Sequence, residues 1–395
     1  MTSPKAVVAA IAGLLLLLAP PLRAQTRPHF VFDLGTFGGT TSHATAINAT
    51  GQIAGFSFLR EDQAQNAFLI GGGGSAPRNL GTLGGNHSYA YAINASGRVA
   101  GAANIASGAF HAFLSTGNGG PITDLGTLGG TNSYAYGVDN IGRVVGYSQT
   151  PGDGATHAFI SAPNGGALRS LGTLAPNTNS FAFAINNSGQ VTGNSGTSSG
   201  FNHAFISGVN GGALRDLGTL GGRFSFGLAL NNYGQVTGRS ETASGQTHAF
   251  LSGVNGGPLQ DLGTLGGFSS FGQAVNDLGW VTGSSFLSDN SSQRAFLYTA
   301  ASGMIDLNTL LPVSSGWILT EGRGINENGQ IVGVGVIDGQ THGFLLTPQS
   351  LSNPVGGIGH ITVVPEPGAV LLLLGGAGLL ALRHRRERQG GAARR

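Results

Sequence analysis

The chain of 395 residues contains no cysteine, a single lysine (Lys5) and two tryptophans, and only 9% of its residues are charged. Without cysteine the protein has no disulfide, no thiolate metal ligand and no cysteine nucleophile. The shortage of long helix-forming residues argues against a helical bundle. So few charges are also unlike a disordered chain, and 40% hydrophobic residues are enough to build a core.

Glycine, by contrast, is abundant, with 71 residues in the chain. The glycines do not recur at every third position, which excludes a collagen helix. Many glycines together with few helix formers are typical of short strands joined by tight turns. We therefore expect an all-β protein.

The first 24 residues have the layout of a secretory signal peptide. Lys5 precedes an apolar run over residues 6–19, Pro20 and Pro21 end that run, and a small residue, Ala24, marks the expected cleavage site. The run is short for a permanent membrane helix, which needs about 20 apolar residues. The sequence thus predicts export.

The opposite end has three parts in a fixed order. Pro365-Glu366-Pro367 precedes an apolar run over residues 368–382, and an arginine cluster follows that includes Arg383, Arg385 and Arg386. Fifteen helical residues cover about 22 Å, which is marginal for a bilayer core of about 30 Å. Because arginines remain on the cytoplasmic side, everything before Pro365 lies on the far side of the membrane.

This arrangement resembles the PEP-CTERM sorting domain of Gram-negative bacteria, and the resemblance covers residues 364–395. It implies an inner-membrane intermediate that the membrane-embedded transpeptidase exosortase, a transient partner, cuts at or near Pro365-Glu366-Pro367. The protein would then pass to the cell surface or the exopolysaccharide matrix. A plain tail anchor is the alternative.

Charge on the remaining body of the protein differs from that of the whole chain. Without the two ends, 11 basic and 16 acidic side chains remain, a net charge of −5. A mildly acidic body offers no surface that follows a phosphate backbone, so we expect no nucleic-acid partner.

Between the ends the chain repeats seven times, in steps of 45 or 46 residues. The repeated "DLGT"-type phrase has its leucine at Leu34, Leu80, Leu125, Leu171, Leu217, Leu262 and Leu307. Each unit also contains an "AIN" phrase, a turn ending in glycine, a "VxG" phrase and a "HAF" phrase. A period of this length with four short strand-like runs is typical of one propeller blade.

Three positions of the unit have a predicted structural role. The turn glycine, Gly97 in the second unit, needs a positive φ. The "VxG" glycine, Gly101, indicates close approach of a neighbouring backbone. The "HAF" phenylalanine, Phe113, is predicted to fill the space between sheets in every unit.

The phrases resemble the HAF repeat of extracellular bacterial proteins, with "HAF" itself at His111, His157, His203 and His248. The resemblance implies an extracellular repeat protein and supplies no reaction.

The order of the phrases predicts the topology. The series opens at Asp33 with the fourth phrase of a unit and closes near Phe344 with the third. We therefore predict a seven-bladed β-propeller with four-stranded blades over residues 30–347, closed by the N-terminal strand and followed by a linker over residues 348–363. A β-solenoid is the alternative.

The repeated histidines, and the Asn66 and Arg294 that replace them in two units, are predicted to form structural pairs with a polar residue twelve or thirteen positions later. These pairs are His111 with Asp124, His203 with Asp216 and His248 with Asp261, and His157 pairs with Ser170, Asn66 with Asn79 and Arg294 with Asp306. Because the pairs lie in separate units, we expect no shared metal ion, no cofactor and no catalytic role for them.

Residues that break the repeat are better candidates for function. Trp317 lies in an insertion of the seventh unit, Trp280 replaces a polar residue after a turn, and Arg323 follows the insertion. Tryptophan beside a charge suits sugar stacking, although a hydrophobic plug at the closure is an equal alternative. The predicted function is a noncatalytic surface or matrix protein that binds exopolysaccharide or another surface protein; the alternative is a secreted propeller enzyme that acts on glycans.

Overall fold

A computed structural model describes residues 29–73 and 75–349 of the protein. Within these ranges the chain consists of β-strands joined by tight turns, which confirms the all-β prediction. In chain order the strands are β1 (Phe30–Asp33), β2 (Gly38–Ile47), β3 (Ile53–Leu59), β4 (Gln65–Ile70), β5 (Arg78–Asn79), β6 (Gly84–Ile93), β7 (Val99–Ile105), β8 (Phe110–Ser115), β9 (Ile122–Asp124), β10 (Ser133–Val138), β11 (Val144–Gln149), β12 (Thr156–Ser161), β13 (Leu168–Gly172), β14 (Ser180–Ile185), β15 (Val191–Gly196), β16 (Asn202–Ser207), β17 (Leu214–Asp216), β18 (Gly221–Leu230), β19 (Val236–Thr242), β20 (Thr247–Ser252), β21 (Leu259–Asp261), β22 (Gly266–Val275), β23 (Val281–Leu287), β24 (Gln293–Thr299), β25 (Gly303–Asp306), β26 (Ile318–Ile325), β27 (Ile331–Ile337) and β28 (Gln340–Thr347). The short 3-10 helices are η1 (Arg60–Asp62), η2 (Gly117–Gly119), η3 (Pro151–Asp153), η4 (Pro163–Gly165) and η5 (Leu307–Leu310).

The strands form antiparallel groups of four, which we number as units 1 to 7. Units 1 to 6 are β2–β5, β6–β9, β10–β13, β14–β17, β18–β21 and β22–β25. A parallel pairing of Thr247 with Ser269 joins units 5 and 6 at one point. Unit 7 contains β26, β27 and β28, and its fourth strand is β1, which pairs with β28 from Phe30↔Thr347 to Asp33↔Phe344.

The first strands of the units lie side by side. Each one contacts the first strands of the units before and after it, and β26 of unit 7 contacts β2 of unit 1. Serines near the start of six of these strands form a further link. Ser88 Oγ, for example, accepts from the Ala67 backbone N of the preceding unit at 2.9 Å. Ser42 Oγ of unit 1 accepts from Gly343 N of unit 7 at the same distance.

The hydrophobic core is divided into clusters between neighbouring units. One cluster joins Leu114 of unit 2 to Val144 and Phe159 of unit 3. The phenylalanine of the third strand is 0 to 2% exposed in all seven units, which confirms the predicted core position (Phe68, Phe113, Phe159, Phe205, Phe250, Phe296 and Phe344). Burial of each such side chain stabilises the fold by about 1.5 to 3 kcal/mol.

The second strand of each unit carries a glycine where no side chain fits. A Cβ at Gly101 would lie 1.9 Å from the carbonyl oxygen of Tyr89, because a bulge between Ala90 and Ala92 turns that carbonyl toward the second strand. The other six glycines have the same contact within 2.0 Å, which confirms the predicted close approach (Gly55, Gly146, Gly193, Gly238, Gly283 and Gly333). The turn glycine is also confirmed, since Gly97 has a φ of +70°.

Candidate functional site

Each first strand ends in a polar residue that closes a tight turn and also reaches the next unit. In unit 4, Asn186 Oδ1 accepts from the backbone N of Ser188 at 3.2 Å and of Gln190 at 3.0 Å. Its Nδ2 donates to the carbonyl oxygen of Asn231 in unit 5 at 3.1 Å. One amide side chain therefore fixes its own turn and the position of the neighbouring unit.

The same residue recurs around all units, and we call this set the turn ring: Asn48, Asn94, Asp139, Asn186, Asn231, Asn276 and Asn326. Each asparagine amide donates to the carbonyl oxygen of the next member at 2.9 to 3.2 Å. Asn326 of unit 7 donates to Asn48 of unit 1 at 3.1 Å. All seven members are buried.

Unit 3 differs, because the carboxylate of Asp139 has no hydrogen to donate to unit 4. Arg143 Nε lies 2.5 Å from Asp139 Oδ2, and both side chains are nearly inaccessible, at 9% and 1% exposed. Arg143 Nη2 in turn donates to the carbonyl oxygen of Asn187 in unit 4 at 3.2 Å. The arginine thus neutralises the buried carboxylate and supplies the missing link.

The turns of all seven units enclose a polar cavity of about 270 Å³. Its lining combines six members of the turn ring, all except Asn326, with residues that follow the ring, such as Asn140, Asn187 and Asn232. Three carboxylates line it. Asp139 is paired with Arg143, and the other two are Asp277 and Glu327, with Glu327 Oε1 accepting from Asp277 N at 2.9 Å. Within residues 29–73 and 75–349 no group of three or more His, Asp or Glu side chains could hold a metal ion.

Two further rows of side chains project from the same first strands. The first row lies five residues before the turn ring and the second row three residues before it, and every member is half-buried. We call both rows together the belt: His43, Tyr89, Tyr134, Phe181, Phe226, Phe271 and Glu321, then Thr45, Tyr91, Tyr136, Phe183, Leu228, Gln273 and Arg323.

Most of the belt is aromatic, and its rings contact one another across unit boundaries. Tyr91 of unit 2 stacks on Tyr136 of unit 3 with ring centroids 4.6 Å apart, and Tyr136 meets Phe183 of unit 4 edge-on at 5.4 Å. In unit 5 the Arg239 guanidinium lies over Phe226, 4.6 Å from the ring centroid, and it also lies over Phe271 of unit 6 at 5.5 Å. These contacts hold the rings in fixed orientations.

The remaining sector of the belt is polar and charged. Glu321 Oε2 accepts from Arg323 Nη2 at 2.8 Å and from its Nε at 3.0 Å, while Gln273 Nε2 donates to Glu321 Oε1 at 3.0 Å. His43 stacks on Phe56 with centroids 4.8 Å apart. Burial, and to a lesser extent the positive charge of Arg323, lower the pKa of His43 to about 4. His43 is therefore neutral at pH 7.

The belt tyrosines are also neutral. Burial raises the pKa of Tyr136 to about 12 and raises the pKa of Tyr91 further. The hydroxyl oxygens of Tyr136 and Tyr147, which lies on the second strand of unit 3, are 3.4 Å apart. Such hydroxyls donate and accept hydrogen bonds but are poorly suited to proton transfer near neutral pH.

The structure brings together most of the polar pairs predicted from the repeat. His111, His203 and His248 each have Nδ1 2.8 Å from a carboxylate oxygen of Asp124, Asp216 and Asp261, respectively. Ser170 Oγ lies 3.2 Å from His157 Nδ1, and Asn66 Nδ2 donates to Asn79 Oδ1 at 3.0 Å. A further pair joins the chain ends, because His342 Nδ1 lies 2.8 Å from Asp33 Oδ2.

The predicted pair of Arg294 with Asp306 is wrong. Arg294 Nη1 donates to the carbonyl oxygen of Gln293, and Asp306 Oδ1 accepts from Asn308 N at 2.8 Å.

The residues chosen because they break the repeat have different environments. Trp317 is 8% exposed and packs edge-on against Phe344 in the core, the environment that the alternative of a hydrophobic plug predicts, and its role as a ligand contact stays a prediction. Trp280 is half-buried and packs against the same cluster. Arg323 belongs to the polar sector of the belt and stays a candidate ligand contact.

Two sets of predicted residues lie outside the described part of the chain. They are the signal cleavage site at Ala24 and the sorting motif with its arginines, Pro365, Glu366, Pro367, Arg383, Arg385 and Arg386. Within the described residues, no helix is long and apolar enough to span a bilayer.

Comparison with known proteins gives a match at the C-terminus. Residues 363–386 match the PEP-CTERM protein-sorting motif. The match supports the predicted exosortase substrate, that is, a protein exported across the membrane and processed for the cell surface. No curated protein matches the sequence.

Solved structures with a similar fold include β-propellers at low sequence identity. The β-propeller domain of the Trilobed protease from Pyrococcus furiosus is 8% identical over 80% of this chain and 98% of its own, with a TM-score of 0.49. TolB from Acinetobacter baumannii is 12% identical over 76% of this chain and 65% of its own, with a TM-score of 0.46. A puromycin-hydrolyzing peptidase from Mycobacterium tuberculosis is 15% identical over 79% and 53%, also at 0.46. These similarities concern the fold alone.

The sequence interpretation missed both the turn ring and the belt. The ring had a signal, because an asparagine ends the "AIN"-type phrase in six units, but an asparagine that opens a tight turn is sufficiently explained by turn geometry. The belt had a weaker signal, the alternation of large and small residues in Tyr89-Ala90-Tyr91. Its other members differ too much between units to be recognised as one set.

Proposed function

We propose that this protein is an exported, noncatalytic binding protein, a closed seven-bladed β-propeller displayed at the surface of a Gram-negative bacterium or in its exopolysaccharide matrix, whose belt binds saccharide. The observation that carries the proposal is the belt itself. It combines oriented aromatic rings with a charged sector formed by Glu321, Arg323 and Gln273.

Support for a closed propeller comes from the junction of units 7 and 1. Asn326 Nδ2 donates a hydrogen bond to the carbonyl oxygen of Asn48, and Gly343 N donates one to Ser42 Oγ. Both repeat the hydrogen bonds that join consecutive units. The pairing of β1 with β28 gives unit 7 its fourth strand. A solenoid would leave both ends as free edges.

Saccharide binding is supported by the chemistry of the belt. A sugar ring has apolar C–H faces that stack on aromatic rings and hydroxyl groups that bond to charged or amide side chains. The belt offers Tyr89 and Tyr134 for the first kind of contact and Arg323 for the second. Because these side chains are already held by their neighbours, little entropy is lost on binding.

The polar sector also favours a binder over a glycosidase. Glycoside hydrolysis generally uses two carboxyl groups about 5 to 9.5 Å apart, one of them with a raised pKa. In the belt the carboxylate is Glu321 alone, and it is occupied by Arg323 and Gln273.

Binding is tested with the exopolysaccharide of the producing organism by isothermal titration calorimetry. The double variant Tyr89→Ala/Tyr134→Ala loses two stacking faces, and we expect affinity to fall by about tenfold or more. Tyr233→Ala is the matched control, because Tyr233 is 57% exposed and lies in a turn beside the turn ring. Unchanged affinity of the belt variant contradicts the proposal, and release of reducing ends identifies an enzyme instead.

Closure is tested by deleting Phe30 to Phe37. In a closed ring this deletion removes a strand of unit 7 and the Asp33 partner of His342, so we expect the whole domain to melt at a much lower temperature. A solenoid would lose order only in its terminal unit. Equal melting temperatures for the deleted and full-length chains contradict closure.

A further inference from the structure

Both ends of the described chain leave the domain on one face. Phe30 at the start of β1 pairs with Thr347 at the end of β28. Gln330, in the turn that follows the turn-ring member Asn326, has Nε2 3.4 Å from Thr347 Oγ1. We call this side, which holds the turn ring and its cavity, the exit face. The opposite side, with the turns between second and third strands, is the distal face.

The exit face exposes several large apolar side chains. Ile141, Tyr233 and Leu278 occupy equivalent positions in the turns of units 3, 5 and 6, and are 52, 57 and 60% exposed. Val209 and Val254, 61 and 59% exposed, come from the turns between third and fourth strands, which bond to the first turns on the same side. The distal face also exposes apolar side chains at the starts of first strands, namely Phe224, Phe268 and Ile318, which are 39, 60 and 44% exposed. Apolar exposure therefore does not by itself distinguish the two faces.

Charge differs between the two faces. On the exit face, Arg169 Nη2 donates to the carbonyl oxygen of Gly211 and Arg215 Nη2 to that of Gly256, and both arginines are exposed. Arg78 and Arg98 lie on the same face, against the carboxylates Asp277 and Glu327 at the cavity. The distal face carries the arginines Arg60 and Arg223 and a larger set of acids in its turns: Glu61, Asp62, Asp153, Glu241, Asp289 and Asp338.

We propose that the exit face docks on the surface of an anionic phospholipid membrane while the protein is still a membrane-anchored precursor. The proposal adds to the proposed function and rests on its anchored intermediate. Fifteen residues, 350–364, separate the described domain from Pro365, and a chain of that length spans at most roughly 50 Å. The domain therefore stays close to the bilayer, and the face nearest the anchor is the more basic one.

The two faces differ in what they would meet at a membrane. Each arginine near an anionic surface contributes about 1 kcal/mol to the free energy of membrane binding. Exposed apolar side chains of the exit face add to it by entering the interface. The acidic distal face is repelled by the same surface. Docking would therefore turn the distal face away from the bilayer.

The orientation is measured with single labels, because the chain has no cysteine of its own. Ala213→Cys places an environment-sensitive fluorophore on the exit face, and Ser198→Cys places one on the distal face; both positions are exposed. The full chain is reconstituted through its C-terminal segment into phosphatidylglycerol vesicles that contain quencher lipid. We expect strong quenching at residue 213 and little at residue 198, and much weaker quenching at residue 213 in phosphatidylcholine.

Variants of the exit face then test its contribution. Arg169→Gln/Arg215→Gln should lower the docked-to-free ratio about 30-fold, the value for two arginines at about 1 kcal/mol each. Arg60→Gln/Arg223→Gln on the distal face is the matched control and should leave it unchanged. Leu278→Ser, which removes an exposed side chain, should also reduce docking, and it keeps the test valid if the arginine variant unfolds.

Three outcomes would overturn the proposal: equal quenching at both labels, quenching at residue 213 that is insensitive to the exit-face variants, or quenching that appears only when exosortase is added. The last result would identify a protein partner instead. Saccharide binding by the belt is measured in the same variants. It is expected to be unchanged, so failure of membrane docking is distinguishable from failure of the proposed function.

Discussion

The turn ring and the belt are built from the same seven strands, only three to five residues apart, and yet they follow opposite rules. In the turn ring six of seven residues are asparagine, and each makes the same bond to the next unit. In the second row of the belt the residues range from Thr45 through Tyr91 and Leu228 to Arg323. Neighbouring positions of one strand are thus nearly constant in one case and variable in the other.

The difference shows which positions the fold constrains. A turn-ring residue must supply one amide hydrogen and one oxygen in a buried place, where an unpaired polar group costs about 1 to 3 kcal/mol. A belt residue is half-buried, and no hydrogen bond from its side chain recurs in all units. Side chains in the belt are therefore free to serve recognition, as expected when a function is added to a repeated scaffold.

The largest expected effect comes from breaking the turn ring at its one exception. Arg143→Met leaves the Asp139 carboxylate buried without its partner and removes the link to Asn187. Loss of one member of a buried ion pair costs about 3 to 5 kcal/mol, and we expect that loss in the free energy of unfolding measured with urea.

The same site provides its own control. The double variant Asp139→Asn/Arg143→Gln copies Asn186 and Gln190 of unit 4, where the amide donates to the next unit without an ion pair. It should recover stability to within about 1 kcal/mol of the wild type. If the double variant is as unstable as Arg143→Met, the hydrogen bond from each turn-ring asparagine to the next unit does not explain why asparagine recurs at this position in six units.

How much the sequence reveals follows from the same contrast. Features that recur in register, such as the Gly101 contact and the burial of Phe113, were predictable because seven copies show one physical constraint. The link from Asn186 to Asn231 was not, because it joins residues 45 positions apart and depends on how units pack. For Trp317 the sequence left both a ligand contact and a hydrophobic plug open for a related reason, since its burial against Phe344 is set by tertiary packing.

The belt offers a pH-dependent test of intermediate size. The folded pKa of His43, about 4, is below its ordinary value of 6.5, so the unfolded chain takes up the proton first as the pH falls. The contribution of neutral His43 to the free energy of unfolding is therefore complete above pH 6.5 and is lost as the pH falls from 6.5 to 4. We expect a loss of roughly 1 to 2 kcal/mol, because the half-open site screens part of the penalty.

His43→Phe isolates this contribution, because phenylalanine occupies the same belt position in units 4, 5 and 6 as Phe181, Phe226 and Phe271. Unfolding of the wild type and the variant is compared by urea titration at pH 7 and pH 4. The wild type should lose more stability than the variant over this interval. An identical loss in both proteins would show that His43 does not sense pH.

The smallest expected effect concerns the histidine pairs, which are repeated like the turn ring but lie where water reaches them. The side chains of His203 and Asp216 are 20% and 42% exposed, so His203→Ala should cost only about 0.5 to 1 kcal/mol. The double variant His203→Asn/Asp216→Asn copies Asn66 and Asn79 of unit 1. The double variant should recover part of the loss, because Asn79 Oδ1 accepts both from Asn66 Nδ2 at 3.0 Å and from Gly81 N at 2.8 Å. Asp216 Oδ1 accepts in the same way from Gly218 N.

Thermal melting gives the stability of both His203 variants, and calorimetry with exopolysaccharide gives their affinity, which should equal that of the wild type. A His203 variant that melts like the wild type but no longer binds saccharide would show that a repeated position takes part in recognition. That result would contradict the contrast drawn here, in which repeated positions stabilise the fold and the variable positions of the belt bind saccharide.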